Sequence, residues 1–266
     1  MSALSTAVLD AGAGSPVLLL HGIPTSGALW SGVVPPLLAA GHRVIVPDLP
    51  GWGDSAPLSG PPTPEAHLRW IRELMSRHSV ERPVVAGHDL GGLLGLMLAA
   101  EGLATGVTLT SSWAGLGWMG ARVTALPVLE RLFYRRYGGR LYIRRGSAPD
   151  RMHEAVATFG PALADPGVVP RMRSIAAAFE PAMLARLPAR VRSSGTPVRC
   201  IWGRRDPFIP RPLVPVIAAQ LGGRVVWLDG ASHLAPFDRP GPMAEALLAF
   251  VRDLEADSGG HRPEDA

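Results

Sequence analysis

In Gly87-His88-Asp89-Leu90-Gly91 an aspartate occupies the place where a G-x-S-x-G nucleophile elbow carries serine. A serine needs a base to remove its proton, whereas a carboxylate with an ordinary pKa of about 3.9 is already ionised at neutral pH. Attack by Asp89 on an acyl carbon would give a reactive anhydride. Attack on an sp³ carbon gives an alkyl ester that water can hydrolyse. An aspartate between glycines is also a common turn former, so the reading depends on partners elsewhere in the chain. Two are in place: Asp206 follows Val198-Arg199-Cys200-Ile201-Trp202-Gly203, and His233 follows Arg224-Val225-Val226-Trp227-Leu228 across Asp229-Gly230-Ala231-Ser232. Nucleophile, acid and histidine thus run in the chain order that accompanies this kind of elbow.

These residues need rigid elements to bring them together. Pro83-Val84-Val85-Ala86 reads as a buried strand and the run from Gly91 to Ala100 as a buried helix, so Asp89 falls at a strand-to-helix turn. Ser15-Pro16-Val17-Leu18-Leu19-Leu20 reads as another strand, ending in the loop His21-Gly22-Ile23-Pro24. Patterning predicts a helix over 29–40, a strand over 43–46, a helix over 64–78 and a strand over 107–110, with the strand signal resuming at Val198. Upstream of Leu20 there is room for one hairpin at most. Such alternation implies an α/β fold: a mostly parallel sheet with helices on both faces. Between Ser112 and Thr196 the strand signal disappears and helical stretches over 126–137, 150–159 and 169–179 take its place. The expected organisation is a first core part over 1–111, a helical cap inserted at 112–196, a second core part over 197–257 and a disordered tail over 258–266.

At 266 residues the chain suits one large α/β domain with an inserted lid rather than two separate domains. Apolar residues make up 47% and charged residues 18%, and no stretch approaches the roughly 18 apolar residues that span a bilayer. The start, Met1-Ser2-Ala3-Leu4-Ser5-Thr6, lacks the basic and apolar regions of a signal peptide, so a cytoplasmic location is expected. Cys200, the only cysteine, lies in a strand and reads as a small core residue. Every basic residue other than histidine is arginine. Seven arginines crowd 131–151, and a solvated lid face accounts for them, with an anionic substrate or acidic protein partner as the rival. The net charge of +4 suggests neither a nucleic-acid partner nor a membrane. No phosphate loop with lysine and no His/Cys cluster at metal spacing occurs, so no cofactor is expected.

With His21-Gly22-Ile23-Pro24-Thr25-Ser26, Trp30, the stretch from Pro47 to Ser55, Gly87 to Gly92, Trp202 to Pro210 and Gly230-Ala231-Ser232-His233, the chain resembles an α/β-hydrolase of the aspartate-nucleophile branch. That branch holds epoxide hydrolases and haloalkane dehalogenases, including the fluoroacetate type. The resemblance covers both ends of the chain and leaves the middle unmatched. It implies an oxyanion hole made by the N–H groups of Ile23 and Leu90, and a second step in which His233, oriented by Asp206, takes a proton from water. His21 and His88 are expected to hold loops, and Asp48 and Asp54 to fix the loop after the 43–46 strand.

The leaving group divides the branch. Haloalkane dehalogenases usually place a tryptophan after the nucleophile and an asparagine or second tryptophan elsewhere, but here Leu90 and Ile23 offer no side-chain donor. Fluoroacetate-type enzymes carry an arginine where this chain has Leu90. Epoxide hydrolases use cap tyrosines to protonate the epoxide oxygen, and all three tyrosines of this chain, Tyr134, Tyr137 and Tyr142, fall in the expected cap. Tyr134 and Tyr137 sit three apart and also fit plain packing. Trp30, Trp113 and Trp118 are expected pocket walls, and an inward indole among them would serve a halide. The expectation is a cofactor-free hydrolase opening an apolar or aromatic epoxide. A dehalogenase with the same triad is the nearest alternative, and a binding protein or isomerase on this fold is a further one.

Overall fold

The computed structural model of the protein describes residues 6–113 and 140–259. Its centre is a seven-stranded sheet: β1 (Val8–Ala11), β2 (Pro16–Leu20), β3 (Arg43–Pro47), β4 (Val84–His88), β5 (Gly106–Thr110), β6 (Val198–Gly203) and β7 (Arg224–Leu228), in the spatial order β1-β3-β2-β4-β5-β6-β7. Every pairing is parallel except β1 with β3. The room upstream of Leu20 is therefore used by one antiparallel edge strand. It is pinned by Arg43, whose guanidinium donates to both carboxylate oxygens of Asp10 at 2.8 and 2.6 Å.

Strand side chains alternate between two apolar layers, as the two-residue period of a strand demands. Leu18, Leu20, Ile45 and Val85 face one layer, built with α2 (Pro64–Arg77), α3 (Leu90–Ala100) and α8 (Leu213–Gln220). Val17, Leu19, Val44, Val46, Val84 and Ala86 face the other, built with α1 (Val34–Ala39) and α10 (Pro240–Gly259). Because β2 leads outward to β3 while β4 returns on its opposite side, the loops after β2 and β4 diverge from a common crevice at the carboxyl ends of the strands. Open α/β sheets bind ligands at such a switch point.

Between β5 and β6 lie α4 (Arg140–Gly146), α5 (Met152–Phe159), α6 (Val168–Ala178) and α7 (Pro181–Ser194). The last of these departs from the expected cap. It packs along α3, and its Leu184, Leu187 and Val191 are buried in the first apolar layer, making it a crossover helix of the sheet. Pro188 inside it removes a helical donor, which is why residue preferences did not reveal it. The helix expected over 29–40 is likewise split, into a 3₁₀ turn at Gly27–Trp30 and α1. Pro35 and Pro36 fit the first turn of a helix but not its interior. At the other end α10 continues to Gly259, two residues into the expected tail, and 260–266 lie outside the described residues. No helix among the described residues is long and apolar enough to cross a membrane.

Candidate active site

β4 and α3 meet at Asp89, whose φ of +50° and ψ of −116° are strained for any residue with a Cβ. Its N–H donates to Thr110 O at 3.0 Å, while its carbonyl accepts the Gly92 N–H at 3.0 Å and the Ser112 hydroxyl at 2.7 Å. Two glycines permit the crevice to close this far. A Cβ on Gly91 would stand 2.3 Å from Leu20 O, and one on Gly22 would stand 2.4 Å from Asp89 Cβ. The loop after β2 thereby delivers the Ile23 N–H to Asp89 Oδ1 at 3.2 Å. The Leu90 N–H, at the positive end of α3, hydrogen-bonds the same carboxylate. Burial lifts the Asp89 pKa above the ordinary value, opposed by the His233 imidazole and the two amides and assisted by the Asp206 charge.

Across the crevice, Asp206 lies in the turn after β6. Its Oδ1 accepts the Phe208 and Ile209 N–H groups at 2.9 and 3.2 Å, and its Oδ2 accepts the Trp202 indole N–H at 3.1 Å. His233 Nδ1–H donates to both oxygens at 3.1 Å, with both side chains almost wholly buried. Burial works against ionisation of either group. The ion-pair attraction overrides it, so Asp206 is held below the usual carboxylate range and His233 above the usual imidazole range. This proton placement leaves Nε2 of His233 as an acceptor, and the Tyr142 hydroxyl of α4 donates to it at 2.8 Å. The Tyr142 ring stacks on Phe208, 4.6 Å between centroids. Burial, then the Asp89 and Asp206 charges, drive the phenol pKa well up, so Tyr142 remains an O–H donor.

The other histidines of the crevice are built into its walls. His21 Nε2 accepts the Leu49 N–H at 2.8 Å while its Nδ1–H donates to Gly22 O at 2.7 Å, and burial lowers its pKa to about 4. His88 Nε2–H donates to the His233 carbonyl at 3.0 Å, and burial, with repulsion from His233 whenever that ring is protonated, lowers the His88 pKa well below the ordinary value. Asp48 accepts the N–H groups of Gly27 and Asp54, at 2.7 and 2.9 Å. Cys200 is buried and its thiol is pushed up to about 12, which makes it inert.

Of the residues singled out from sequence, the structure brings Asp89, Ile23, Leu90, His233, Asp206 and Tyr142 to one crevice. Trp30 does not join them. It is completely buried among Leu29, Val33 and Leu37 of the second apolar layer, because the 3₁₀ turn carrying it packs against β2 and β3. Trp113 is partly buried against the first layer. Tyr134, Tyr137 and Trp118 lie outside the described residues. Arg140, Arg144 and Arg145 are exposed on α4. Sequence reading missed Trp202 and Ser112 as supports of Asp206 and Asp89: Trp202 stands in a matched stretch that does not mark its indole as a donor, and no pattern marks Ser112. Among the described residues no group of three or more His, Cys, Asp or Glu side chains gathers to hold a metal ion.

Comparisons with known proteins agree with this architecture. The chain is 31% identical to haloalkane dehalogenase 1 of Mycobacterium tuberculosis, over 88% of this chain and 83% of that protein. It is 28% identical to a pimeloyl-[acyl-carrier protein] methyl ester esterase of Aeromonas hydrophila, over 93% of this chain and 100% of that one. A thermophilic esterase structure from Thermogutta terrifontis superposes with a TM-score of 0.78 at 23% identity, covering 94% of each chain, a likeness of fold alone. The model of the alpha/beta hydrolase family matches residues 17–246, and the chain belongs to that family.

Proposed function

We propose that this hydrolase opens an epoxide to a diol through an alkyl ester on Asp89. Asp89 Oδ1 is engaged by the Ile23 N–H, which leaves Oδ2 to attack. Oδ2 forms a bond to a ring carbon, the ring C–O bond breaks, and the released oxygen takes the Tyr142 proton. Once the tyrosine turns to that oxygen, His233 Nε2 is free to accept a proton from water. The resulting hydroxide adds to Cγ of Asp89, and the negative charge develops on Oδ1, the oxygen already facing the Ile23 amide, with the Leu90 amide acting on the same carboxylate. As the Cγ–Oδ2 bond breaks, the proton of the added hydroxyl passes to the leaving oxygen, which releases the diol and restores the carboxylate. The imidazolium then returns its proton to the tyrosinate, so one proton circulates and the sum is epoxide plus water to diol.

The observation that carries this reading is the Tyr142 hydroxyl on His233 Nε2, 2.8 Å away. It supplies the proton that the epoxide oxygen must take as the ring opens, whereas a halide leaves as an anion and takes none. A second reading, haloalkane dehalogenation on the same three residues, is favoured by the mycobacterial relative. Against it, the side chains of Leu90 and Ile23 have no donor for a halide, and the Ile23 N–H is turned to Asp89.

The two readings part at Tyr142→Phe. A panel of styrene-type epoxides, aliphatic epoxides and bromoalkanes is scored for diol and halide release in wild type and variant. The epoxide reading predicts diol formation by wild type and a fall of about 10²-fold or more in the variant. Bromide release that survives the substitution, with no diol from either protein, would replace it with dehalogenation.

A further inference from the structure

One buried carboxylate near the crevice has no part in the reaction just described. Asp238 ends the short helix α9 (Ala235–Asp238) and is only 2% exposed. Its Oδ1 accepts the Ala148 N–H at 2.9 Å and its Oδ2 the Ser232 N–H at 2.8 Å. Ala148 lies just beyond the helix that carries Tyr142, and Ser232 immediately precedes His233. The carboxylate thus ties together the two segments whose side chains meet in the Tyr142–His233 hydrogen bond. A second tie runs the other way, from the Leu234 N–H to Gly146 O at 2.8 Å. At the rim Arg239 reaches across to Asp150 at 3.0 Å. The contact between the segments is close. A Cβ on Gly146 would stand 3.2 Å from the Phe208 ring and 3.5 Å from His233 Cβ.

We propose that Asp238 is a positioning residue, whose bridge between the α4 segment and the His233 loop sets the Tyr142–His233 hydrogen bond and the charge that His233 can carry. The groups acting on His233 are Asp206, Asp89 and Asp238, which favour its protonation, and His88, whose own shift reflects repulsion by it. Tyr142 closes the remaining side. Asp238 itself faces the two amides and Arg239, with Asp150 behind them.

Burial lifts Asp238 to about 6, against the pull of both amides and Arg239. A carboxyl pKa raised on folding means that the native state binds the proton more tightly. Its contribution to stability therefore grows as pH falls from about 6 toward the ordinary value and is lost as pH rises through 6.

The importance of this bridge for turnover rests on the reading given under Proposed function, but its test needs no substrate and stands if the epoxide proves wrong. His233 is followed by histidine NMR in the free enzyme, wild type and Asp238→Asn. The variant keeps one acceptor but sets an amide N–H against the other backbone N–H. Removing the nearby negative charge should weaken the proton affinity of His233 by roughly threefold or more, and the Nε2 resonance should shift toward that of an imidazole without the Tyr142 bond. A lowered melting temperature with both His233 readouts unchanged would reduce Asp238 to a structural role and overturn the proposal. Should the variant not fold, the wild-type protein decides: with carboxyl-labelled aspartate, Asp238 should titrate near 6, and the His233 signals should show an inflection at the same pH. His233 signals indifferent to that titration overturn the proposal equally.

Discussion

At the elbow, Asp89 is held mainly by main-chain groups, the amides of Ile23 and Leu90 on its carboxylate and the Thr110 carbonyl on its N–H, with the Ser112 hydroxyl on its carbonyl the one side chain among them. Across the crevice, His233 is held by side chains, Asp206 at 27 residues' separation and Tyr142 at 91. The two halves fail in different ways. Main-chain donors survive any change of side chain at 23 or 90, but the close approach that delivers them leaves no room for a Cβ at Gly22 or Gly91. The histidine half has a close approach of its own, since a Cβ on Gly203 would stand 2.1 Å from Ser232 O, and it depends besides on the identity of each side chain. A motif of glycines therefore announces the first half, while the second is assembled only by the fold.

The largest effect should come from the histidine half. His233→Gln cannot take the proton from water, so turnover should fall by about 10³-fold or more. Asp89 remains able to attack, and mass spectrometry should find about one equivalent of substrate ester on the elbow peptide. A comparable loss without ester would mean that His233 acts before the covalent step. The elbow half is tested by Gly22→Ala. The new Cβ would meet Asp89 Cβ at 2.4 Å and His88 Nδ1 at 2.7 Å. Overpacking of this kind costs about 1–3 kcal/mol, and a carboxylate displaced by a fraction of an ångström should lose about 10²-fold in kcat. Melting temperature and single-turnover rate check the two parts. If the variant keeps full activity, the close approach is not needed for chemistry. A smaller effect is expected from Trp202→Phe, which removes one of several donors to Asp206. It should cost about 1–2 kcal/mol of stability and only a few-fold in kcat, because the Phe208 and Ile209 amides still hold Oδ1. A loss as large as that of His233→Gln would make the indole the main support of the acid.

What the sequence made legible follows the same division. Asp89, Asp206 and His233 were readable because each follows a short apolar strand, and strands β2 to β7 were found within a residue or two by their apolar runs. Tyr142 was one of three equivalent tyrosines until α4 set its hydroxyl on His233. Ser112 escaped notice because its partner lies 23 residues away, and Asp238 because the bond that makes it a bridge reaches Ala148, 90 residues away, distances at which no local pattern operates. Trp30 illustrates the converse. An indole beside a functional loop invites a pocket role, yet its 3₁₀ turn buries it in the core. Pro188 hid α7 because a proline inside a helix reads as a break, while tertiary packing on α3 sustains the helix through it.

The central claim is that Asp89 forms a covalent ester, and a single turnover in oxygen-18 water tests it most directly. With enzyme in excess over the epoxide, the account predicts that the label enters the Asp89 carboxylate, adding about 2 Da to the elbow peptide, while the first diol released carries none. Label in the first diol, with the elbow peptide unchanged, would mean that water attacks the substrate directly and that Asp89 is not a nucleophile.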